Sequence, residues 1–247
     1  MRTIVYVDGF NLYYRLLRAR PGMKWLNPLA LAGEVLGDKH DITQTRYFTA
    51  RVTGRLDPTA PKRQHAYLKA LSTVPGIQIH YGNFLATKTW AGLVPPDLDP
   101  SKPGARAPFM PWPAVVRVFK TEEKGSDVNL ATHLLVDAYA DIFDTAAVIT
   151  NDTDLAEPLR HVAKVMGKPV GLLTPVAKPA HDLQRSVTFV RHIREQHLRA
   201  AQFPDRVTVA GEVAAERPPE WSSHPTPPSA PGSPSAPRAA AAGSGSL

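Results

Sequence analysis

Three acidic clusters, far apart in the chain, carry the residues that could do chemistry. The first is Val7-Asp8-Gly9-Phe10-Asn11. The second is Glu122-Glu123-Lys124-Gly125-Ser126-Asp127. The third is Thr150-Asn151-Asp152-Thr153-Asp154. The first and third follow short apolar, β-branched runs, the mark of a buried parallel strand. In an open α/β sheet, active groups gather just past the carboxyl ends of the strands. Carboxylates gathered there repel one another unless a cation sits among them. Cysteine is absent, and His192 and His197 are five apart, the wrong spacing for two ligands on one helical face. The expected ion is therefore Mg²⁺ or Mn²⁺ held by oxygen. Such an ion lowers the pKa of water and stabilises charge on a phosphoryl oxygen.

The expected ligands are Asp8, Asp127, Asp152 and Asp154, with Asp154 either a second direct ligand or one acting through water. Asn11, one turn beyond Asp8, orients a water or bonds the Asp8 carboxylate. Asp127 opens a helix in line with the stripe Leu130, Ala131, Leu134 and Ala138, so it faces the sheet. Glu123 either approaches the site or is a solvated loop charge. Asp137 lies on another helical face, at the surface or behind the ligands. Helix capping is the plainer reading of Asp8, Asn11 and Asp127. It accounts for one aspartate after a strand better than for two.

The elements that must position these residues alternate. Strands are expected over 3–7, 45–52, 77–81, 115–120, 146–150, 169–173 and 187–190. Helices are expected over 10–18, 28–36, 61–73 (Arg63 and Lys69 outward), 126–140, 155–166, 180–185 and 191–201. Asn27-Pro28 supplies an N-cap and a first-turn proline, and Gly9 a sharp turn. This order predicts a three-layer α/β fold: an open, mostly parallel sheet with helices on both faces. One domain spans 1–200. Residues 86–114 hold seven prolines and no visible period; they read as a long insertion. Its Lys88, Trp90, Lys102, Arg106, Phe109 and Trp112 either stack on unpaired nucleotides or, the preferred reading, cover the domain. Residues 204–247, rich in proline, serine and alanine, read as a disordered tail, offering a Pro-rich segment to a protein partner.

The chain has 247 residues and a formal net charge of +7. Residues 201–247 hold three arginines against four acidic residues, so the excess lies in the first 200. A basic body around an acidic site suits a polyanion such as RNA. Arg15, Lys120 and Lys124 are the expected phosphate contacts. No Walker loop or Gly-x-Gly-x-x-Gly follows a strand, so a nucleotide cofactor lacks support. No run reaches the ~18 apolar residues of a membrane span, and no cleavable leader opens the chain. A cytoplasmic location and no membrane contact are expected.

Together the three motifs, with Val128, Leu130-Ala131 and Leu155, resemble the NYN domain of the PIN-like nuclease superfamily over roughly residues 1–195. The resemblance implies a parallel α/β sheet and a metal-dependent ribonuclease active in RNA processing or turnover. By motif it implies a site of Asp8, Asp127, Asp152 and Asp154 supported by Asn11. The sequence departs from the pattern at Asn151, where many relatives have glycine, and at His133, where many have an acidic residue. The departures imply one firmly held ion, or Asp137 or Glu123 as a substitute ligand. The leading expectation is a metal-dependent endoribonuclease; the alternative is a non-catalytic PIN-like module that binds RNA or protein. A phosphatase with Asp8 as nucleophile normally has a second aspartate two residues on, where this chain has Phe10.

Overall fold

Strand β1 (Arg2–Asp8) is buried along nearly its whole length, and its side chains divide by parity. Val5 and Val7 enter one apolar cluster, and Ile4 and Tyr6 the other. A strand buried on both faces belongs in the middle of a sheet. The computed structural model describes residues 1–55, 57–94 and 113–222. It places β1 centrally in a six-stranded sheet with β2 (Asp41–Thr49), β3 (Ile77–Tyr81), β6 (Thr145–Ile149), β7 (Val170–Thr174) and β8 (Phe189–His192). The order is β3-β2-β1-β6-β7-β8, and every pairing is parallel. The expected open α/β sheet is thus the architecture observed.

One face carries α1 (Gly9–Leu12, running on as a π-turn over Tyr13–Leu17), α2 (Pro28–Leu36), α3 (Ala60–Leu71) and α7 (Glu195–Ala200). The other carries α4 (Ser126–Tyr139), α5 (Ala156–Arg160) and α6 (His181–Ser186). The chain builds β1, β2 and β3 outward in one direction, then returns to β6 on the other side of β1. The carboxyl ends of β1 and β6 therefore flank a topological switch point, where a crevice opens because successive connections diverge.

Local signals act as expected at Asn27, whose side chain accepts from the Leu29 and Ala30 N–H groups ahead of Pro28. Gly9 is needed for space and not for a turn. A Cβ there would lie 2.7 Å from the Phe48 carbonyl oxygen and from the Tyr47 ring.

Two expectations are corrected. Residues 86–94 are not structureless: β4 (Asn83–Gly92) pairs antiparallel with β5 (Val115–Lys124) along ten residue pairs. All seven prolines of the stretch fall at 95–113, between the two strands, so averaging over the whole stretch hid the ribbon. Trp90 is 68% exposed and covers nothing. Lys102, Arg106, Phe109 and Trp112 lie outside the described residues.

The second correction concerns 204–222. Here β9 (Arg206–Val209) and β10 (Glu212–Glu216) form a hairpin that continues to Trp221. Val207, Ala215 and Trp221 are buried in the core cluster with Trp25 and Tyr67. The Trp25 indole donates to the Pro204 carbonyl at 2.7 Å. The turn is Ala210-Gly211, both with positive φ, the geometry of a two-residue hairpin. Composition pointed to disorder because few apolar residues are present. Those few are aimed at one aromatic cluster. Residues 223–247, including most of the Pro-rich stretch, lie outside the described residues.

Candidate functional site at the sheet switch point

Asp8 ends β1 and is 5% exposed. Its Oδ1 accepts from the Asn11 N–H at 2.9 Å, and its Oδ2 accepts from the Thr150 hydroxyl at 2.9 Å. The first contact is a cap on α1, so capping and site membership coexist in one residue. The Asn11 side-chain oxygen accepts from the Asn151 N–H at 2.9 Å, and the Asn151 side-chain oxygen accepts from the Ala180 N–H at 3.0 Å. The Thr150 hydroxyl also accepts from the Asp152 N–H at 3.0 Å. These bonds lock the loop after β6 onto the start of α1, so Asp8 and Asp152 have a fixed relation. Asn151 ties that loop to the residue before α6, a use of its side chain that glycine lacks.

Asp152 accepts from the Asp154 N–H at 3.1 Å and so caps the following turn. Asp154 is exposed. Asp127 sits half-buried in the first turn of α4, while the Glu123 Oε1 accepts from the Ser126 N–H (2.9 Å) and hydroxyl (2.6 Å). Glu123 therefore holds the first residue of α4 and also lines the cleft. Asp8, Asp127, Asp152, Glu123 and Asn11 line one cleft of about 370 Å³ with Phe10, Tyr14, Arg15 and Arg18.

The electrostatics agree with the geometry. Burial pushes the Asp8 carboxyl from 3.8 up to about 7; the Asn11 N–H opposes this, and the negative charges of Asp127 and Asp152 add to it. Burial, then Asp152, Glu123 and Asp154, push Asp127 from 3.8 up to about 6. Five carboxylates thus feel one another, and among the described residues none of the five has an ion-pair partner. The donor set fits a hard divalent cation by its chemistry: oxygen only, with unmatched negative charge. It is not a closed cage. Among the described residues no three carboxylate or imidazole groups stand close enough to enclose an ion. Mg²⁺ keeps several waters and commonly takes only one or two protein carboxylates.

Three sequence expectations change. Asp137 does not stand at the surface and is no substitute ligand. It is buried near the far end of α4, where its carboxylate binds Arg46 at 2.7 and 3.0 Å and accepts from the Tyr6 hydroxyl at 2.7 Å. Lys120 and Lys124 do not line the cleft. Strand parity puts both with Glu122 on one face of the β4–β5 ribbon, and both pair with Glu122. Glu123 faces the other way. Arg63 is not outward; it pairs with Asp57 and is largely covered. Arg18 takes the place foreseen for the two lysines. Its signal was present: Asn11, Arg15 and Arg18 are spaced i, i+4, i+7 and share a helical face. Thr150 was also missed, because a threonine at a strand end has no distinctive spacing. His133 packs its ring 4.2 Å from His80 and 5.7 Å from Phe48, a structural contact.

A second cavity adjoins the cleft. It measures about 350 Å³, and Phe10, Tyr14 and Arg18 belong to both. Its other walls include Tyr13, Tyr47, Tyr67, Phe84 and Trp221.

Fold and cleft together define an α/β protein with an acidic, arginine-flanked site at the sheet switch point. No protein-family profile matches the chain. The chain is similar to a 6-hydroxy-3-succinoylpyridine 3-monooxygenase of Pseudomonas putida, with 27% identity over 250 residues, 91% of this chain and 77% of that protein. It is also similar to a crystal structure of a protein of unknown function from Vibrio parahaemolyticus, with 12% identity, a TM-score of 0.45, and coverage of 78% of this chain and 93% of that one. Among the described residues no helix is long and apolar enough to cross a membrane.

Proposed function

We propose that this chain is a metal-dependent endoribonuclease of the NYN, PIN-like type, hydrolysing RNA phosphodiester bonds in RNA processing or turnover in the cytoplasm. The observation that carries the reading is the meeting of Asp8, Asp127 and Asp152 in one cleft at the switch point, beside two arginines. Mg²⁺ or Mn²⁺, when bound there, supplies Lewis-acid stabilisation of the charge that grows on phosphoryl and leaving oxygens. Asp8, Asp127 and Asp152 would hold the ion, directly or through water. Arg15 and Arg18 grip the phosphate. Asn11 fixes the spacing of the two strand ends. A water oxygen attacks phosphorus as the bond to the ribose oxygen breaks; Glu123 or Asp154 takes a proton from the water, and the ribose oxygen takes one from solvent. Glu123 lines the cleft, and Asp154, outside that lining, is close enough for its charge to raise the Asp127 carboxyl.

Purified protein with labelled RNA and Mn²⁺ tests this. Asp152→Asn is expected to cleave at least about 100-fold more slowly than wild type. Equal cleavage by both proteins assigns the activity to a contaminant. RNA binding that persists in EDTA, with no product under any metal, would favour the non-catalytic binding module.

The β4–β5 ribbon supports an RNA ligand. Parity places the cross-strand pairs Phe84 and Glu123, Lys88 and Phe119, and Trp90 and Arg117 on one face. Phe84 and Glu123 sit at the two cavities, so this face leads away from the site. Phe119 is 49% exposed and carries the Arg55 guanidinium 4.3 Å from its ring centre. Aromatic and cationic pairs at this spacing suit an unpaired strand. Trp90→Ala is expected to weaken binding of a long single-stranded RNA about tenfold, with little effect on a dinucleotide. Fluorescence anisotropy on both lengths checks it, and equal losses would detach the ribbon from RNA.

A second reading is favoured by the aromatic cavity: an enzyme acting on a small aromatic ring, as the name of the Pseudomonas putida relative describes for that protein. Oxygen uptake dependent on a pyridine substrate, with no RNA cleavage, would move the assignment there.

A further inference from the structure

We propose that the cavity beside the acidic cleft is a binding site for a flat aromatic ring carrying an anionic group. Three observations carry it, and none depends on RNA hydrolysis or on a metal.

The first is shape. Seven of the lining side chains are aromatic. Tyr67 meets Tyr47, Trp25 and Trp221 at centroid distances of 6.1, 6.2 and 6.0 Å, all tilted or edge-on. Rings that brace one another this way do not slide together to close a gap. The Tyr67 hydroxyl donates to the Leu26 carbonyl at 2.8 Å. Gln64, also in the wall, donates to the Ala50 carbonyl at 2.8 Å and accepts from the Val52 N–H at 2.9 Å. The walls are therefore set before any ligand arrives. A volume of about 350 Å³ lies within the ~300–1,000 Å³ range of small-molecule sites.

The second is charge. Arg18, Lys24 and Arg63 all line the cavity; among the described residues Asp57 is the one lining carboxylate, and Glu220 lies 3.9 Å from Arg63. Asp57 is held by Arg63. Lys24 lies 5.6 Å from the Tyr13 ring centre, and Arg18 lies 5.6 Å from that of Tyr14. Burial, then the charges of Arg63 and Arg18, depress the Lys24 pKa. Arg18 and Lys24, set beside aromatic faces with no ion-pair partner among the described residues, invite an anion.

The third is position. Phe10, Tyr14 and Arg18 form the shared wall. A ring seated among the tyrosines would present its anionic group to Arg18 at the edge of the carboxylate cleft. A nucleotide unit of an RNA strand and a free aromatic acid share this chemistry.

Isothermal titration of the metal-free full chain with uridine 5′-monophosphate, adenosine 5′-monophosphate, benzoate and inorganic phosphate separates the sources. Binding of a nucleotide but not benzoate identifies a strand-derived ring; the reverse identifies a free acid. Either result supports the site. Lys24→Met, which keeps the alkyl stem, is expected to weaken the bound ring compound about tenfold. Tyr13→Ala is a second variant that removes a wall and leaves the three cations; a similar loss is expected. Unchanged affinity in both variants overturns the proposal. So does inorganic phosphate binding as tightly as the nucleotides, or no ring compound binding at millimolar concentration. The cleavage assay with Mn²⁺ is independent, so a failed titration leaves the nuclease reading standing, and a failed cleavage assay leaves this site standing.

Discussion

Asp8→Asn is expected to unfold at higher denaturant than the wild type at pH 8, and to unfold like it at pH 4. Burial holds the folded Asp8 at about 7 against an ordinary 3.8. Between those two values the folded chain keeps a proton that the unfolded chain has released. Stability therefore falls as pH rises through this window and levels off above about pH 7. The integrated loss is on the order of 4 kcal/mol, and the neutral asparagine avoids it. The amide keeps an oxygen for the Asn11 N–H, and the Thr150 hydroxyl can turn to accept from its NH₂. Urea titrations in EDTA at the two pH values check the effect. Equal midpoints for both proteins at pH 8 would mean that Asp8 ionises freely in the fold. Under the metal reading, millimolar Mn²⁺ raises the wild-type midpoint at pH 8, since ligand binding to the folded state adds stability. It does so much less for Asp8→Asn. A carboxylate kept at a cost to stability, where an amide would serve the fold better, is what a functional site produces.

Much of this arrangement was legible in the chain because local chemistry and global position agree there. The runs before Asp8 and Asp152 are buried strands, and both aspartates stand at the switch point. The stripe behind Asp127 orients it inward, as the 3.6 period requires. Other parts needed the third dimension. The face on which Lys120 and Lys124 fall depends on ribbon parity, and the ribbon could not be seen through a proline-rich window. The burial of Trp221 depends on Trp25 and Tyr67, nearly 200 and more than 150 residues away in the chain. Composition cannot report a contact of that range. The aromatic cavity was invisible for the same reason. Its walls come from α1, β2, α3, β4 and the segment after β10, stretches far apart in the chain.

Asp137→Ala is expected to destabilise the fold by about 3–5 kcal/mol, the usual result of removing one partner from a buried ion pair. The side chains of Arg46 and Asp137 are 11% and 6% exposed. Alanine would leave the guanidinium with Gln78 at 2.9 Å as its remaining side-chain partner, and the buried Tyr6 hydroxyl without its acceptor. Restoring neutrality on both sides should recover most of the loss: Arg46→Met combined with Asp137→Leu replaces the pair by apolar volume, which elsewhere is neutral or stabilising. The single change acts far from the cleft, since ten residues of helix from Asp127 to Asp137 span about 15 Å. Per folded molecule, RNA binding and cleavage should therefore match the wild type below the unfolding transition. Denaturation midpoints of the single and double variants, read beside binding at low temperature, test both halves. A single-variant loss under about 1 kcal/mol would place the pair in solvent. A selective loss of binding would instead make Asp137 part of the site.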